Sequence, residues 1–221
     1  MAHYKVLIVD DHPMIVAGFT QALDIIAEDR NTTYSSDSAL NCEDAAELIK
    51  NQNIKYDLIS LDLSLPGSPD KKYNSGEDLA LLARKKQPQA KIMICTMLEN
   101  NYKVLNVMKR LDPDSLLVKS DTNPEILMQA MQSLFLGKSY HSNTVQRMMK
   151  QTIEYAHELD EEDRKILYLL SQGILTKNIP ENMNLSLSSV EKRKKQLKLF
   201  FNIPDRNDKI LIEKAKERGF L

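Results

Sequence analysis

The chain has 221 residues, enough for two domains of ordinary size. With 42% hydrophobic and 28% charged residues it has the composition of a folded globular protein, which excludes a disordered or fibrous chain. The formal net charge of −1 gives no sign of nucleic-acid binding by the chain as a whole. No apolar run is long enough to span a membrane and the N-terminus lacks a signal-peptide pattern, so we expect a cytoplasmic protein with no membrane partner. Cys42 and Cys95 lack metal or redox spacing and are expected to be free thiols.

Short apolar runs alternate with helical patterns over residues 1–136. Each of five predicted strands precedes a predicted helix, and Pro124 occupies the first turn of the last helix, where proline is favoured. This alternation predicts an α/β fold with a doubly wound, five-stranded parallel sheet covered by helices on both faces. The predicted strands are 4–9, 32–36, 57–61, 91–95 and 115–118, and the predicted helices are 14–27, 43–51, 77–86, 101–110 and 124–136.

Residues 137–157 are rich in Ser, Asn, Gln and Lys, and we interpret them as a linker that contains a helix over 145–156. From residue 158 onward no strand pattern occurs. The sequence therefore predicts a first domain over 1–136 and a small all-α domain over 158–221. The predicted helices of the second domain are 161–171, 177–183, 187–201 and 207–218.

Polar residues follow four of the predicted strands, namely Asp10 and Asp11, Asp62, Thr96, and Lys119. The carboxyl ends of strands in a doubly wound sheet converge on one crevice, where ligands bind. Carboxylates brought together there repel one another unless a cation neutralises them, and Mg²⁺ prefers oxygen ligands. The pattern thus predicts a Mg²⁺ site at which one carboxylate can accept a phosphoryl group as an aspartyl-phosphate.

The order of the motifs resembles the receiver domain family of two-component signalling. The motifs are Val-Asp-Asp-His-Pro at 9–13, Asp-Leu-Ser-Leu-Pro-Gly at 62–67 and Leu-Leu-Val-Lys at 116–119. Any one of these polar residues alone would be an ordinary strand end, and their joint order carries the resemblance. The resemblance implies the phosphoacceptor Asp62, Mg²⁺ ligands Asp10, Asp11, Asp62 and the Ser64 carbonyl, and phosphoryl contacts Thr96 and Lys119.

The sequence departs from the family pattern near this site. The glycine that usually follows the proline by four residues is Gly76, ten residues after Pro66, so the loop is longer, and we interpret 70–72 within it as solvated. Leu98 cannot hydrogen-bond the water that hydrolyses an aspartyl-phosphate, and Leu116 stands where the family often has an aromatic switch residue. These departures predict slow loss of the phosphoryl group and a weak conformational switch.

The predicted helix 187–201 combines an apolar stripe with a basic face, and Ser186 can cap it. Five of the seven residues 192–198 are basic, and residues 158–221 carry 13 Lys+Arg against 11 Asp+Glu. Such a helix can lie in the major groove of DNA, although the basic face alone is equally typical of a solvated or protein-docking helix. The stripe is Leu187, Val190, Leu197 and Phe201, and the predicted DNA-binding face is Ser188, Glu191, Lys192, Arg193 and Lys195.

Residues 159–201 resemble the NarL/LuxR-type helix-turn-helix, through the acidic start at 160–163, Gln172-Gly173 and Leu185-Ser186. The resemblance implies binding to double-stranded DNA, chiefly through residues 191, 192 and 195. Glu191 departs from the frequent basic residue, which changes the expected target sequence. Pro180 is a second departure, in a helix that we expect Thr176 to cap.

Together the two domains predict a phosphorylation-controlled transcriptional regulator of a two-component system, which is not an enzyme. A sensor histidine kinase or a phosphotransfer protein would donate the phosphoryl group, and phosphorylation would favour a homodimer or a heterodimer with another regulator. One alternative is an atypical regulator that acts without phosphorylation, through DNA or a partner regulator. The other is a phosphatase-like hydrolase, against which the small domain and the lack of a second general acid near Asp62 argue.

Overall fold

The computed structural model describes residues 2–30, 32–98, 100–154, 159–203 and 208–221. They form two compact units, Met1–Leu98 with Val107–Gln146, and Glu99–Asn106 with Arg147–Leu221. Across the described part of the chain, the structure contains no helix that is both long and apolar enough to cross a membrane.

A parallel sheet forms the centre of the first unit, with helices connecting its successive strands. The strand order is β2-β1-β3-β4-β5-β6, and every neighbouring pair is parallel. The strands are β1 His3–Val9, β2 Thr33–Ala39, β3 Leu58–Leu61, β4 Lys91–Thr96, β5 Ser115–Val118 and β6 Tyr140–His141. The helices between the strands are α1 Pro13–Arg30, α2 Cys42–Lys50, α3 Gly76–Lys86, α4 Asn101–Leu111 and α5 Pro124–Phe135, of which α4 is divided between the two units after Asn106.

The sixth strand corrects the predicted five-stranded sheet. Tyr140 and His141 pair with Ser115 and Leu116 of β5, within the segment 137–157 that the sequence suggested was a linker. A strand of two residues is too short to show an alternating or apolar pattern, so composition could not reveal it. The helix predicted in the same segment is present as α6, Asn143–Glu154, while its predicted end at residues 155 and 156 lies outside the described residues.

The central strands are buried apolar runs, as expected for a parallel sheet covered on both faces. Residues 6–9, 58–61, 92–95 and 116–118 are all at most 2% exposed. Burying one such aliphatic side chain fully stabilises the fold by about 1.5–3 kcal/mol. The rigid sheet that results fixes the strand ends, and hence the polar residues that follow them.

Both cysteines are buried free thiols, as the sequence predicted. Cys42 begins α2, and Cys95 lies in β4. Burial raises the pKa of the Cys95 thiol to about 12. Burial and the neighbouring charge of Asp78 also raise the pKa of Cys42.

The second unit is helical around its own apolar core in the residues described. A cluster of buried side chains that includes Ile166, Leu167, Val190 and Leu211 joins the helices. The last helix was predicted over 207–218, and its start at residue 207 lies outside the described residues. The helices are α7 Glu161–Ser171, a 3-10 helix Thr176–Asn182, α8 Leu187–Phe200 and α9 Asp208–Glu217.

The α-helix predicted over 177–183 is a 3-10 helix instead, with Pro180 inside it. Proline has no N–H to donate and disturbs the preceding turn of an α-helix, which favours the tighter 3-10 form here. The expectation that Thr176 caps the helix is wrong, because Leu175 is the cap residue and makes no side-chain cap bond. The Thr176 hydroxyl accepts a hydrogen bond from Lys194 Nζ at 2.7 Å.

Candidate functional site

The carboxyl ends of β1, β3, β4 and β5 bring the predicted acidic site together. Lys119 Nζ lies 2.6 Å from Oδ2 of Asp62 and 2.8 Å from Oδ2 of Asp10. The Thr96 hydroxyl donates a hydrogen bond to Oδ1 of Asp62 at 2.6 Å. Asp10, Asp62 and Thr96 are all buried. Lys119 and Thr96 therefore both bond the Asp62 carboxylate, and Asp10 joins the group through Lys119.

The backbone around Asp62 holds its carboxylate in place. The Asp62 N–H donates to the carbonyl of Val9 at 2.9 Å, and the Ser64 N–H donates to Oδ1 of Asp62, also at 2.9 Å. Gly76 begins α3 directly against this residue, since a Cβ at position 76 would lie 1.8 Å from the Asp62 carbonyl oxygen. Although the longer loop places Gly76 ten residues after Pro66, this glycine still packs directly against Asp62.

The hydrogen bonds at the site favour the charged forms of both Asp62 and Lys119. Burial opposes ionisation of Asp62, but bonds from Lys119, the Ser64 N–H and Thr96 outweigh it and lower the Asp62 pKa. Burial likewise opposes the charge of Lys119, but Asp10 and Asp62 raise the Lys119 pKa above its ordinary value. At neutral pH the site contains an ionised carboxylate beside a cation.

The acidic group also fits a divalent cation. Carboxylate oxygens of Asp10, Asp11 and Asp62, with a ring nitrogen of His12, lie within 4.8 Å of one another. Oδ1 of Asp11 is buried and accepts no hydrogen bond within the described part of the chain, although His12 Nδ1 lies 2.7 Å away. Lys119 supplies one positive charge against three carboxylates, and an oxygen-seeking cation such as Mg²⁺ would neutralise the remainder.

The residues predicted for this group from the sequence did not include His12. Its position directly after Asp10 and Asp11 was the available signal. Ser64 lies beside the group, since its N–H is bonded to Oδ1 of Asp62, and the role of its carbonyl stays a prediction.

On α8 the structure separates the basic residues into exposed and internally paired ones. Val190, Leu197 and Phe201 are buried as predicted, but Leu187 is 41% exposed and lies off the apolar stripe. Four of the five predicted DNA-binding side chains are exposed: Ser188, Glu191, Lys192 and Lys195.

Arg193, the fifth predicted DNA-binding residue, binds acidic residues of its own unit. Its Nη1 lies 2.8 Å from Oδ2 of Asp160 and 2.9 Å from Oδ1 of Asp163, and its Nη2 also contacts Glu162. Burial opposes the guanidinium charge, but the bonds to Asp160 and Asp163 outweigh it and raise the Arg193 pKa further. Arg193 therefore ties α8 to the start of α7.

Two lysines of α8 are paired in the same way with Asp208, the first residue of α9. Lys194 Nζ lies 2.7 Å from Oδ2 of Asp208, and Lys198 Nζ lies 2.8 Å from Oδ1. Burial opposes ionisation of Asp208, yet the two lysines lower its pKa below the ordinary value. Three of the five basic residues in 192–198 thus stabilise the unit, which leaves Lys192 and Lys195 as the exposed cations of the run.

A doubly wound parallel sheet with aspartates, a threonine and a lysine at its carboxyl edge defines the receiver class of signalling domains. A sequence model of the response regulator receiver domain matches residues 6–132, more than half of the chain. The chain therefore belongs to the response regulator receiver domain family.

Full-length relatives extend this assignment beyond the first unit. The chain is 27% identical over 199 residues to transcriptional regulatory protein RcsB of Escherichia coli (strain K12), covering 88% of this chain and 87% of the relative. It is 27% identical over 209 residues to nitrate/nitrite response regulator protein NarP of the same strain, covering 92% and 91%. The resemblance to two-component regulators of the NarL/LuxR type is confirmed.

A solved structure is similar over both units. It is RcsB from Salmonella enterica serovar Typhimurium bound to promoter P1flhDC in the presence of phosphomimetic BeF3⁻. The TM-score is 0.61 at 25% identity, and the match covers 96% of this chain and 97% of that one.

Proposed function

We propose that this protein is a DNA-binding transcriptional regulator controlled by phosphorylation of Asp62. The observation that carries the proposal is the buried, ionised Asp62 carboxylate bonded to both Lys119 and Thr96. A sensor histidine kinase or a phosphotransfer protein is the donor in this proposal. The proposed limits are 1–136 for the receiver domain, 137–157 for the linker and 158–221 for a helix-turn-helix domain.

Phosphoryl transfer forms a bond between a carboxylate oxygen of Asp62 and phosphorus. The bond from phosphorus to the donor atom breaks, and the leaving group takes that bonding pair. Lys119 is in position to balance charge on the transferred oxygens, and the Thr96 hydroxyl can donate a hydrogen bond to one of them. Asp10, held 2.8 Å from the Lys119 ammonium, keeps that side chain directed into the site.

Mg²⁺ bound at this site would neutralise charge on the carboxylate and on the incoming phosphoryl oxygens. The proposed ligands are Asp10, Asp11, Asp62 and the carbonyl of Ser64. The carboxylate oxygens of Asp10, Asp11 and Asp62, which lie within 4.8 Å of one another, support this assignment.

The output proposed for the second unit is binding of double-stranded DNA through α8. Its exposed Lys192 and Lys195 can contact phosphates or base edges, and Ser188 and Glu191 lie on the same exposed part of the helix. Solved structures named as RcsB dimers and RcsB–promoter complexes support DNA binding and dimerisation by a similar chain. A homodimer formed on phosphorylation, or a heterodimer with another regulator, is the proposed active state.

Incubation with acetyl phosphate and Mg²⁺, followed by mass spectrometry, tests the assignment of Asp62. We expect the wild-type protein to gain one acid-stable, hydroxylamine-labile phosphoryl group, and Asp62→Asn to gain none. Asp57→Asn is a matched control, because this exposed residue lies five positions earlier in the chain.

The same assay separates the alternatives. Modification at another residue rejects Asp62 as the acceptor. Absence of incorporation in a folded wild-type protein that still binds DNA supports a regulator that acts without phosphorylation. Sustained turnover of phosphoesters supports a hydrolase.

A further inference from the structure

The start of α6 is bonded to the loop that carries Lys119. Oδ2 of Asp121 accepts a hydrogen bond from the Thr144 N–H at 2.9 Å, and Oδ1 accepts one from the Thr144 hydroxyl at 3.0 Å. Asp121 is the last residue of the 3-10 helix that begins at Lys119, and Thr144 is the second residue of α6. We refer to these two hydrogen bonds as the Asp121–Thr144 clasp.

The residues just before α6 are also bonded to β5. The Leu116 N–H donates to Nδ1 of His141 at 3.1 Å, and the Val118 N–H donates to the Ser142 hydroxyl at 3.3 Å. Val145 is fully buried. The first turn of α6 is therefore part of the receiver unit, through contacts that surround the clasp.

The last of the three points at which the chain passes between the two compact units lies inside α6, between Gln146 and Arg147. The chain thus leaves the receiver unit within one turn of Thr144. Anything that changes the first turn of α6 acts on a segment that connects the units covalently and leads directly into residues 147–221.

We propose that the Asp121–Thr144 clasp transmits the phosphorylation state of Asp62 to α6, and through α6 to the second unit. This inference rests on the proposed function, in which Asp62 is the phosphoacceptor. Lys119 Nζ is shared between Asp62 and Asp10, 2.6 and 2.8 Å away. A phosphoryl group on Asp62 adds negative oxygens beyond the carboxylate and draws the Lys119 ammonium toward them.

The single turn of 3-10 helix converts this shift into a movement of Asp121. Lys119 and Asp121 are its two ends, so a displaced backbone at Lys119 moves the Asp121 carboxylate as well. The Thr144 N–H is then left without its acceptor. An uncapped N-terminal turn is weakened, and a helix of 12 residues has little stability of its own in water.

Hydrogen–deuterium exchange of the full-length chain measures the clasp directly. In the wild-type protein we expect amide exchange at 143–146 to become faster on adding beryllofluoride and Mg²⁺, by about fivefold, the factor for loss of one helix cap. In Asp121→Ala we expect that faster exchange already without beryllofluoride, and little further change on adding it.

DNA binding provides the second measurement. We expect Asp121→Ala to reduce the ratio of phosphorylated to unphosphorylated DNA affinity by a factor of about five. Thr144→Val, which loses only the hydroxyl bond, should reduce it less. Asn123→Ala is the matched control, because Asn123 lies two residues after Asp121 and its side chain caps α5 through the Ile126 N–H. It should leave that ratio unchanged.

Phosphate incorporation at Asp62 is measured on each variant first. If neither the wild-type protein nor any variant is labelled, the proposed function is wrong. That result would not be an effect of the clasp, because the wild-type protein has an intact clasp. If the proteins are labelled and DNA affinity responds normally, while exchange at 143–146 is unchanged and Asp121→Ala keeps the wild-type ratio, transmission through the clasp is wrong.

Discussion

Gly76 packs so closely against the backbone of Asp62 that a side chain there must displace one of them. We predict that Gly76→Ala lowers the free energy of unfolding by about 1–3 kcal/mol, the cost typical of an overpacked site. It should also reduce labelling of Asp62 by acetyl phosphate, because the carboxylate moves with its backbone. Chemical denaturation and mass spectrometry measure the two effects.

Gly18→Ala is the control for this substitution. Gly18 lies inside α1, and a Cβ there meets nothing within 4 Å. Alanine should stabilise the helix by about 0.5–1 kcal/mol and leave labelling unchanged. If Gly76→Ala behaves like Gly18→Ala, the contact with Asp62 has no role in positioning the carboxylate.

Asp114 gives stability that depends on pH. Its carboxylate accepts from the Ile92 N–H at 2.9 Å and from the Lys91 ammonium at 2.9 Å, so it joins the start of β4 to the residue before β5. Burial opposes its ionisation, but these bonds outweigh it and lower the Asp114 pKa. Because the folded pKa is the lower one, the ionised group stabilises the fold above its unfolded value, about 3.9. That contribution is lost as pH falls through the folded value.

We therefore predict that Asp114→Asn lowers the free energy of unfolding at pH 7 by about 1.5–3 kcal/mol, the range for hydrogen bonds to a charged group. The difference from wild type should shrink as pH falls below about 4. Urea denaturation followed by circular dichroism between pH 7 and 3.5 measures it. Asp24→Asn, an exposed change on α1, should show no such trend. A difference for Asp114→Asn that stays constant with pH contradicts the assignment.

At the scale of the element, α8 contains basic residues with two separate roles. Lys192→Ala and Lys195→Ala should weaken DNA binding and, for phosphate contacts, lower the salt dependence by about one unit each. Arg193→Gln should lower the thermal stability of the second unit, because it leaves the acidic start of α7 without its partner. Fluorescence anisotropy across a salt series and thermal denaturation separate the two effects.

The control for these variants is Lys85→Ala, an exposed change on α3 of the receiver. It should change neither DNA affinity nor stability. If Arg193→Gln lowers the salt dependence as Lys192→Ala does, without loss of stability, then Arg193 contacts DNA after all.

Sequence reasoning recovered the elements whose signal is local and missed those set by contacts across the fold. Residues 58–61 and 115–118 are apolar runs that remain buried strands in any arrangement, so they were predictable. β6 is a strand because it pairs with the edge of β5. Its two residues carry no sequence pattern from which that pairing could be predicted. The pairing of Arg193 with α7 also depends on tertiary contact, since its neighbours in sequence suggested an exposed basic face.

The acidic site was predictable for the same reason that the sheet was. Residues that follow consecutive buried strands must meet at one edge, so Asp10, Asp62 and Lys119 could be grouped before their distances were known. The closeness of Gly76 to Asp62 could not be inferred. Gly76 comes ten residues after Pro66, and that spacing alone does not determine where the loop returns to the sheet.

For the molecule as a whole, we predict a phosphorylated state that is long-lived but only partly dimeric. Leu98 follows β4 and offers no group to position a hydrolytic water, which should slow loss of the phosphoryl group. Leu116 is completely buried in β5 and has no ring to reorient, so the switch should be weak. Shifting the equilibrium between inactive and active states from 99:1 to 1:99 requires a free-energy difference of about 5.5 kcal/mol. A weak switch supplies less than that.

Sedimentation velocity of phosphorylated and unphosphorylated protein, with a decay time course, measures both parts. Loss of the phosphoryl group within minutes contradicts the argument from Leu98. Complete conversion to dimer contradicts the argument from Leu116.

The two buried thiols make the natural chain suitable for fluorescent labelling at a chosen position. Maleimide dyes react with thiolates, and Cys95, with its pKa of about 12, is almost entirely protonated near neutral pH and lies inside β4. Cys42 is fully buried as well, and these are the only two cysteines in the sequence. A cysteine introduced on an exposed position, such as Lys85→Cys, should therefore take up one dye per chain without removal of either natural cysteine.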